Sequence, residues 1–335
     1  MKQKNYMKKI LACLIMAVMC FYACQNKQSK TETTATDTQQ VVYDFDADSA
    51  YQFVAAQVAF GPRVPNTEAH ENCAKYLKET LSQWVDTLYV QPLLVKAYDG
   101  KSLRGENIIG CINPESQTRI LLAAHWDSRP FADHDPEIPN RRTAIDGAND
   151  GASGVGILLE LARQLQLQKP AVGVDIIFFD IEDYGEPQDE RYMYGQGENW
   201  CLGAQVWSSN PHKKYYRAKY GILLDMVGGA NPHFAKEGTS RYFATTIQDM
   251  VWNKANSLGY GAFFTNNIAS PITDDHLYVN QRRNIQMIDI IDLDPYTSTG
   301  FNPHWHTLSD NMENIDKNTL EMVGKVLMSV VMSEK

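Results

Sequence analysis

Carboxylates and imidazoles recur at six points where an apolar run stops or a helix begins: His125-Trp126-Asp127, Asn149-Asp150-Gly151, Asp180-Ile181-Glu182-Asp183, Asp225 after Leu223-Leu224, Asp274-Asp275-His276 and Trp305-His306-Thr307. Singly, each has an ordinary explanation. An Asp ahead of a helix caps it, a Glu-Asp pair is a solvated surface, and one His is a satisfied polar contact. Gathered at one sheet edge, they would bring together more acidic groups than a protein interior tolerates without a cation. A bound metal removes that repulsion. Oxygen and imidazole donors without thiolate point to zinc ahead of manganese or cobalt, and three protein ligands would leave a coordination position for chemistry.

The elements that must carry these groups follow from periodicity. Apolar residues at helical spacing predict helices over 47–60, 67–84, 153–167, a short one near 203, 240–258 and 317–332. Strand-like runs predict strands over 86–95, 106–112, 119–126, 174–179, 220–227 and 284–291. Runs such as Ile120-Leu121-Leu122-Ala123-Ala124 are apolar at every position, which requires burial on both faces. Strands alternating with helices then predict an α/β fold: one domain over 43–335, with a mixed, mostly parallel central sheet flanked by helices. Sites in such sheets form at the carboxyl ends of the strands, where these acids and histidines fall.

The 335 residues are 44% apolar and 21% charged with ordinary Gly and Pro content, which excludes fibrous and wholly disordered proteins. The formal charge of −9 includes four lysines in residues 1–23, so the remainder carries −13 and is a poor partner for nucleic acid. Those lysines precede an apolar run over 10–23, too short to cross a bilayer as a helix, which predicts a signal peptide over 1–23. The run ends Phe21-Tyr22-Ala23-Cys24 and resembles a bacterial lipobox, although Phe21 stands where Leu is usual. A lipidated Cys24 would anchor the chain in the bacterial envelope, facing the periplasm, through a polar tether over 24–42. Cys73, Cys111 and Cys201 are then left, an odd number that implies no disulfide framework.

The order His-x-Asp, Gly-Ala-x-Asp, acidic pair, Leu-Asp and late His resembles the zinc aminopeptidases of the transferrin-receptor type. Within that clan, the chain from about residue 60 onward more closely resembles the animal-type zinc glutaminyl cyclases. The resemblance is carried by Asn107-Ile108-Ile109, His125-Trp126-Asp127-Ser128, Phe179-Asp180-Ile181-Glu182-Asp183, Asp225-Met226-Val227-Gly228-Gly229-Ala230-Asn231-Pro232, Asp274-Asp275-His276, Arg282-Arg283, and Trp305-His306-Thr307 with Asp310-Asn311. It implies an α/β-hydrolase-like catalytic domain holding one zinc per chain on Asp150, Asp183 and His306. Glu182 would shuttle protons, Asp225 and Asp274 would form a hydrogen-bonded pair with it, and Trp305 and Phe301 would wall the substrate pocket. Asp183 departs from the family's usual Glu, Asp289 stands where the animal enzymes tend to have His, and Ala124 replaces one half of their disulfide.

The implied reaction turns an N-terminal glutaminyl residue of a peptide or protein into pyroglutamate with release of ammonia. A zinc aminopeptidase is the alternative, because His125 and Asp225 are the residues with which those peptidases hold a second metal beside a bridging carboxylate such as Asp150. A lipoprotein that binds ligands without catalysis is a third reading. Oligomeric state is not written in the sequence. Trp200 and Trp207 read as core residues ahead of pocket walls, and the Gly- and acid-rich 184–199 segment as a mobile lid.

Overall fold

The apolar runs assemble into a six-stranded sheet in the computed structural model, which describes residues 43–191, 193 and 198–335. The signal peptide, the tether and Cys24 lie outside the described residues. Val42–Lys335 forms one compact unit. Its strands are β1 (Thr87–Lys96), β2 (Ser102–Ile112), β3 (Arg119–His125), β4 (Gly173–Phe179), β5 (Tyr220–Asp225), β6 (Phe234–Lys236), β7 (Phe264–Ile268) and β8 (Met287–Ile291). Its helices are α1 (Ala47–Val58), α2 (Glu68–Leu81), α3 (Ala152–Gln168), α4 (Leu202–Ser209), α5 (Gly238–Ser257), α6 (Asp275–Tyr278) and α7 (Lys317–Ser333).

The main sheet has the order β1-β2-β4-β3-β5-β8. Neighbours among β4, β3, β5 and β8 run parallel, while β1 pairs β2 and β2 pairs β4 antiparallel. This is the mixed, mostly parallel α/β sheet that the apolar runs require. Burial of every residue of β3 divides by the two-residue strand period. Ile120, Leu122 and Ala124 enter a core shared with α1, α2, α3 and α7, whereas Leu121 and Ala123 face a second core containing Ala204, Trp207 and Met287. Trp207 is thus a core residue, as its sequence context suggests. At the edge away from the carboxyl ends, Arg119 Nε and Nη2 grip Asp175 at 2.6 and 2.5 Å and the Tyr216 hydroxyl donates to the same carboxylate.

Several boundaries differ from the sequence expectation for local reasons. β2 starts at Ser102 because it closes a hairpin with β1, its Lys96↔Ser102 register lying outside the purely apolar run. β5 stops at Asp225 because Met226 takes a left-handed conformation (φ 47°). Residues 279–283 form a π-helical turn and Asn284 is left-handed (φ 53°), which delays β8 to Met287. The three-residue β6 and its partner β7 form a separate two-stranded sheet too short for a periodic signal. Among the described residues, no helix is long and apolar enough to cross a membrane.

Candidate active site

His125 ends β3, Asp150 stands just before α3, Glu182 and Asp183 follow β4, Asp225 ends β5, Asp274 caps α6, and His306 lies in the loop leading to α7. The parallel register of β4, β3 and β5 brings these ends together. His306 Nε2 lies 3.5 Å from Asp150 Oδ2 and 3.3 Å from Asp183 Oδ1. On the other side of Asp150, His125 Nε2 lies 3.0 Å from Asp150 Oδ1 and 3.3 Å from Asp225 Oδ1. Asp150, Asp183 and His306 form one set of metal-ligating atoms mutually within 4.8 Å, and His125, Asp150 and Asp225 form a second. Asp150 belongs to both.

These groups are close without being hydrogen-bonded. Both ring nitrogens of His125, Asp183 Oδ2, Asp225 Oδ1 and His306 Nδ1 are buried with no hydrogen-bond partner. Buried polar atoms left in that condition cost free energy unless something else satisfies them. Two carboxylates and an imidazole converging on one point, with no thiolate among them, fit zinc.

The cluster is held from behind. Asp127 accepts the backbone N–H groups of Glu182 and Asp183 at 3.0 and 3.1 Å, and Asp310 accepts those of Asn149 and Asp150 at 2.7 and 3.1 Å. Burial, then the charge of Asp150, pushes Asp310 up to about 7. Arg129 binds Asp133 through Nε and Nη2 at 2.9 and 2.6 Å, and Asp133 Oδ1 lies 3.3 Å from His306 Nδ1. Arg129 Nη1 also donates to the Asp183 carbonyl at 3.0 Å and sits 3.4 Å from its carboxylate. A Cβ on Gly151 would lie 2.5 Å from the His125 carbonyl oxygen, so the start of α3 approaches β3 only because this residue is glycine.

Glu182 differs from its neighbours. It keeps partial exposure, and its Oε1 accepts a hydrogen bond from the Cys201 thiol at 3.1 Å. Burial of the carboxyl, reinforced by the charge of Asp183, holds it well above the usual carboxylate range, the condition a proton carrier needs. Burial and the charge of Asp150 likewise push Asp225 up to about 7. The hydrogen-bonded trio expected of Glu182, Asp225 and Asp274 does not form among the described residues. Asp225 lies toward His125 instead, and Asp274 accepts the N–H of Asp275 at 2.5 Å. Asp289 is buried with both oxygens unpartnered, and burial together with the charge of Asp274 holds it well above the ordinary range.

A cavity of about 800 Å³ opens beside His306, with Trp305, Phe301, Trp200 and His134 in its lining. The Trp305 ring stacks on His306 at 3.8 Å between centroids and tilts against Phe301 at 4.4 Å, so both residues line this cavity. Trp200 departs from the core reading. Its indole lies parallel to the His306 ring and receives the Arg129 guanidinium at 4.6 Å, making it a cavity wall. The lid expected over 184–199 falls partly outside the described residues. Cys73, Cys111 and Cys201 are buried and free, in keeping with the missing disulfide at Ala124. Sequence reasoning missed Arg129, Asp133 and the contact of Cys201 with Glu182. The Arg129-x-x-x-Asp133 spacing was the one available signal, and on a loop it carries no periodicity.

The model of peptidase family M28 matches residues 107–331. The chain is similar to the glutaminyl-peptide cyclotransferase of Gloydius blomhoffii, 29% identical in an alignment of 255 positions that covers 68% of this chain. It spans 64% of that curated relative's length. Among solved structures, the glutaminyl cyclase of Bacteroides thetaiotaomicron bound to N-acetylhistamine is 52% identical with a TM-score of 0.84, covering 88% of this chain and 100% of that one. A Zn-dependent exopeptidase of Parabacteroides distasonis is equally identical at 52%, with a TM-score of 0.85 and the same coverage of both chains.

Proposed function

The chain belongs to peptidase family M28, and from that premise we propose that it is a glutaminyl-peptide cyclotransferase acting on peptides and proteins with an N-terminal Gln. The observation that carries this reading is the 52% identity to a glutaminyl cyclase covered over its whole length. In the reaction, the substrate's α-amine attacks its own γ-carboxamide carbon and ammonia departs. Both reactants belong to one residue, so the protein has to hold a folded rotamer and move protons. Trp305, Phe301 and Trp200 would confine the side chain and exclude bulk water. Glu182 would take a proton from the α-nitrogen and deliver it to the leaving amide nitrogen. Asp225 and Asp274, both buried, would stabilise positive charge on the nitrogen as the ring closes. One zinc per chain, held by Asp150, Asp183 and His306, supplies a Lewis acid for the γ-carbonyl when bound.

A second reading, hydrolysis by a two-metal aminopeptidase, is favoured by one specific observation: His125 and Asp225 complete a second ligand set around Asp150. Purified protein separates the two. The cyclase reading expects ammonia from Gln-peptides and one zinc per chain. Release of amino acid from Leu-p-nitroanilide without ammonia from Gln-peptides, together with two metals, would replace it with the peptidase. Glu182→Gln is expected to abolish turnover and keep the zinc. Loss of zinc from this variant would instead make Glu182 a ligand and exchange its role with that of Asp183. The lipobox-like Phe21-Tyr22-Ala23-Cys24 supports placing the enzyme on the bacterial envelope through lipid on Cys24, facing the periplasm.

A further inference from the structure

Cys201 lies outside both ligand sets that surround Asp150, yet it binds Glu182 twice. Its thiol is 3.1 Å from Glu182 Oε1, and its backbone N–H donates to the Glu182 carbonyl at 2.9 Å. The next two N–H groups continue the pattern: Leu202 donates to Ile181 at 2.9 Å and Gly203 to Asp180 at 3.0 Å. The opening N–H groups of a helix have no partner within it. At α4 they are spent on three successive carbonyls of the loop that carries Glu182. Cys201 itself is left-handed (φ 57°, ψ 35°), a conformation that glycine takes freely and other residues resist. A Gly at this position would relieve the backbone but could not reach the carboxyl. Among the described residues, the thiol makes the hydrogen bond found to the Glu182 carboxyl. Burial holds the thiol well above its usual range, so it remains an S–H donor.

We propose that Cys201 is a positioning residue: its S–H fixes Oε1 of Glu182, so that Oε2 is the oxygen presented to the substrate's nitrogen atoms. The proposal rests on Glu182 as the proton carrier, a role common to the cyclase and peptidase readings.

The test uses the zinc-loaded full chain and three variants. Cys201→Ala and Cys201→Gly remove the donor; the Gly variant also removes the backbone strain, so it remains informative if the Ala variant does not fold. Cys201→Ser keeps an O–H donor on the same Cβ. Both donor-less variants are expected to lose roughly tenfold in kcat, a part of what a general base contributes, with KM within about twofold and zinc content unchanged. Cys201→Ser is expected to recover to within about threefold of the parent. Crystal structures should show Glu182 in one rotamer in the Ser variant and displaced or split in the Gly variant. Parent-like kcat in Cys201→Gly, a Ser variant as slow as the Gly variant, or an unmoved Glu182 without the thiol would overturn the proposal. If the parent frees Leu from Leu-p-nitroanilide and no ammonia from Gln-peptides, the cyclase reading fails. The same comparison of variants then tests Cys201 on hydrolysis.

Discussion

His306 Nδ1 faces Asp133 Oδ1 at 3.3 Å, on the far side of the ring from Nε2, where a carboxylate can orient an imidazole proposed as a metal ligand. Asp133 is in turn clasped by the buried Arg129 guanidinium, which also reaches the backbone of Asp183. One ion pair therefore reaches a proposed ligand on each side of the cluster. Asp133→Asn is expected to weaken zinc binding about 10- to 100-fold, measured by competition with a chromophoric chelator, while the protein remains folded at ambient temperature. An unchanged zinc affinity would show that His306 is oriented by packing against Trp305 alone. The ligand candidates were legible in the sequence because each stands where an apolar run breaks off. Their supports were not. Asp310 meets the backbone of Asn149 across a separation of 161 residues, and nothing local to either residue records that contact.

At the level of elements, the decisive junction is the start of α4 against residues 180–182. A Cβ on Gly203 would lie 2.2 Å from the Asp180 carbonyl oxygen and 2.5 Å from Asn107 Oδ1, so the helix can approach this closely only with glycine there. Gly203→Ala should force α4 back, lowering stability by about 1–3 kcal/mol and reducing kcat. A thermal melt and steady-state kinetics on the same preparation check both effects. Parent-like values of the two would mean that the loop holds its shape without the helix. Ile181, Cys201, Met226 and His306 are left-handed, with φ of 56°, 57°, 47° and 55°. Strain of this kind persists only where surrounding contacts over-determine the backbone. Long periodic elements such as α3 and β4 could be read from the sequence to within a residue or so. The left-handed turns could not, because β-branched Ile181 and bulky Met226 disfavour the conformation that their neighbours impose.

Across the whole molecule, one buried carboxylate ties several segments together. Glu237 accepts the N–H groups of Thr239 and Ser240 at the start of α5 and that of Ile272, at 2.5, 2.6 and 2.9 Å, and faces His276 Nε2 at 3.1 Å. Burial alone would raise its pKa. The hydrogen bond and charge of His276, with the N–H groups, outweigh burial and bring it from the usual 4.5 to about 2. A carboxyl held low in the folded state stabilises fully above its unfolded pKa and loses that contribution as pH falls through its folded value. The stability difference between the parent and Glu237→Gln should therefore be about 3 kcal/mol above pH 5 and shrink toward pH 2, read from urea midpoints of both proteins. A difference independent of pH would assign the effect to packing. The α/β architecture and the edge that carries the site were visible in the alternation of apolar runs with helices. The strand order β1-β2-β4-β3-β5-β8 was not, since no local pattern says which strands become neighbours.

Asp150 and His306 converge from opposite halves of the chain. During synthesis the acids at positions 150, 182, 183 and 225 leave the ribosome well before the imidazole that faces two of them. A nascent chain of that length carries facing negative charges and no His306 to meet them. On the proposed ligand set the metal site is therefore completed late, with the final loop, and a product cut short before residue 306 lacks the imidazole that faces Asp150 and Asp183 however completely its sheet has formed.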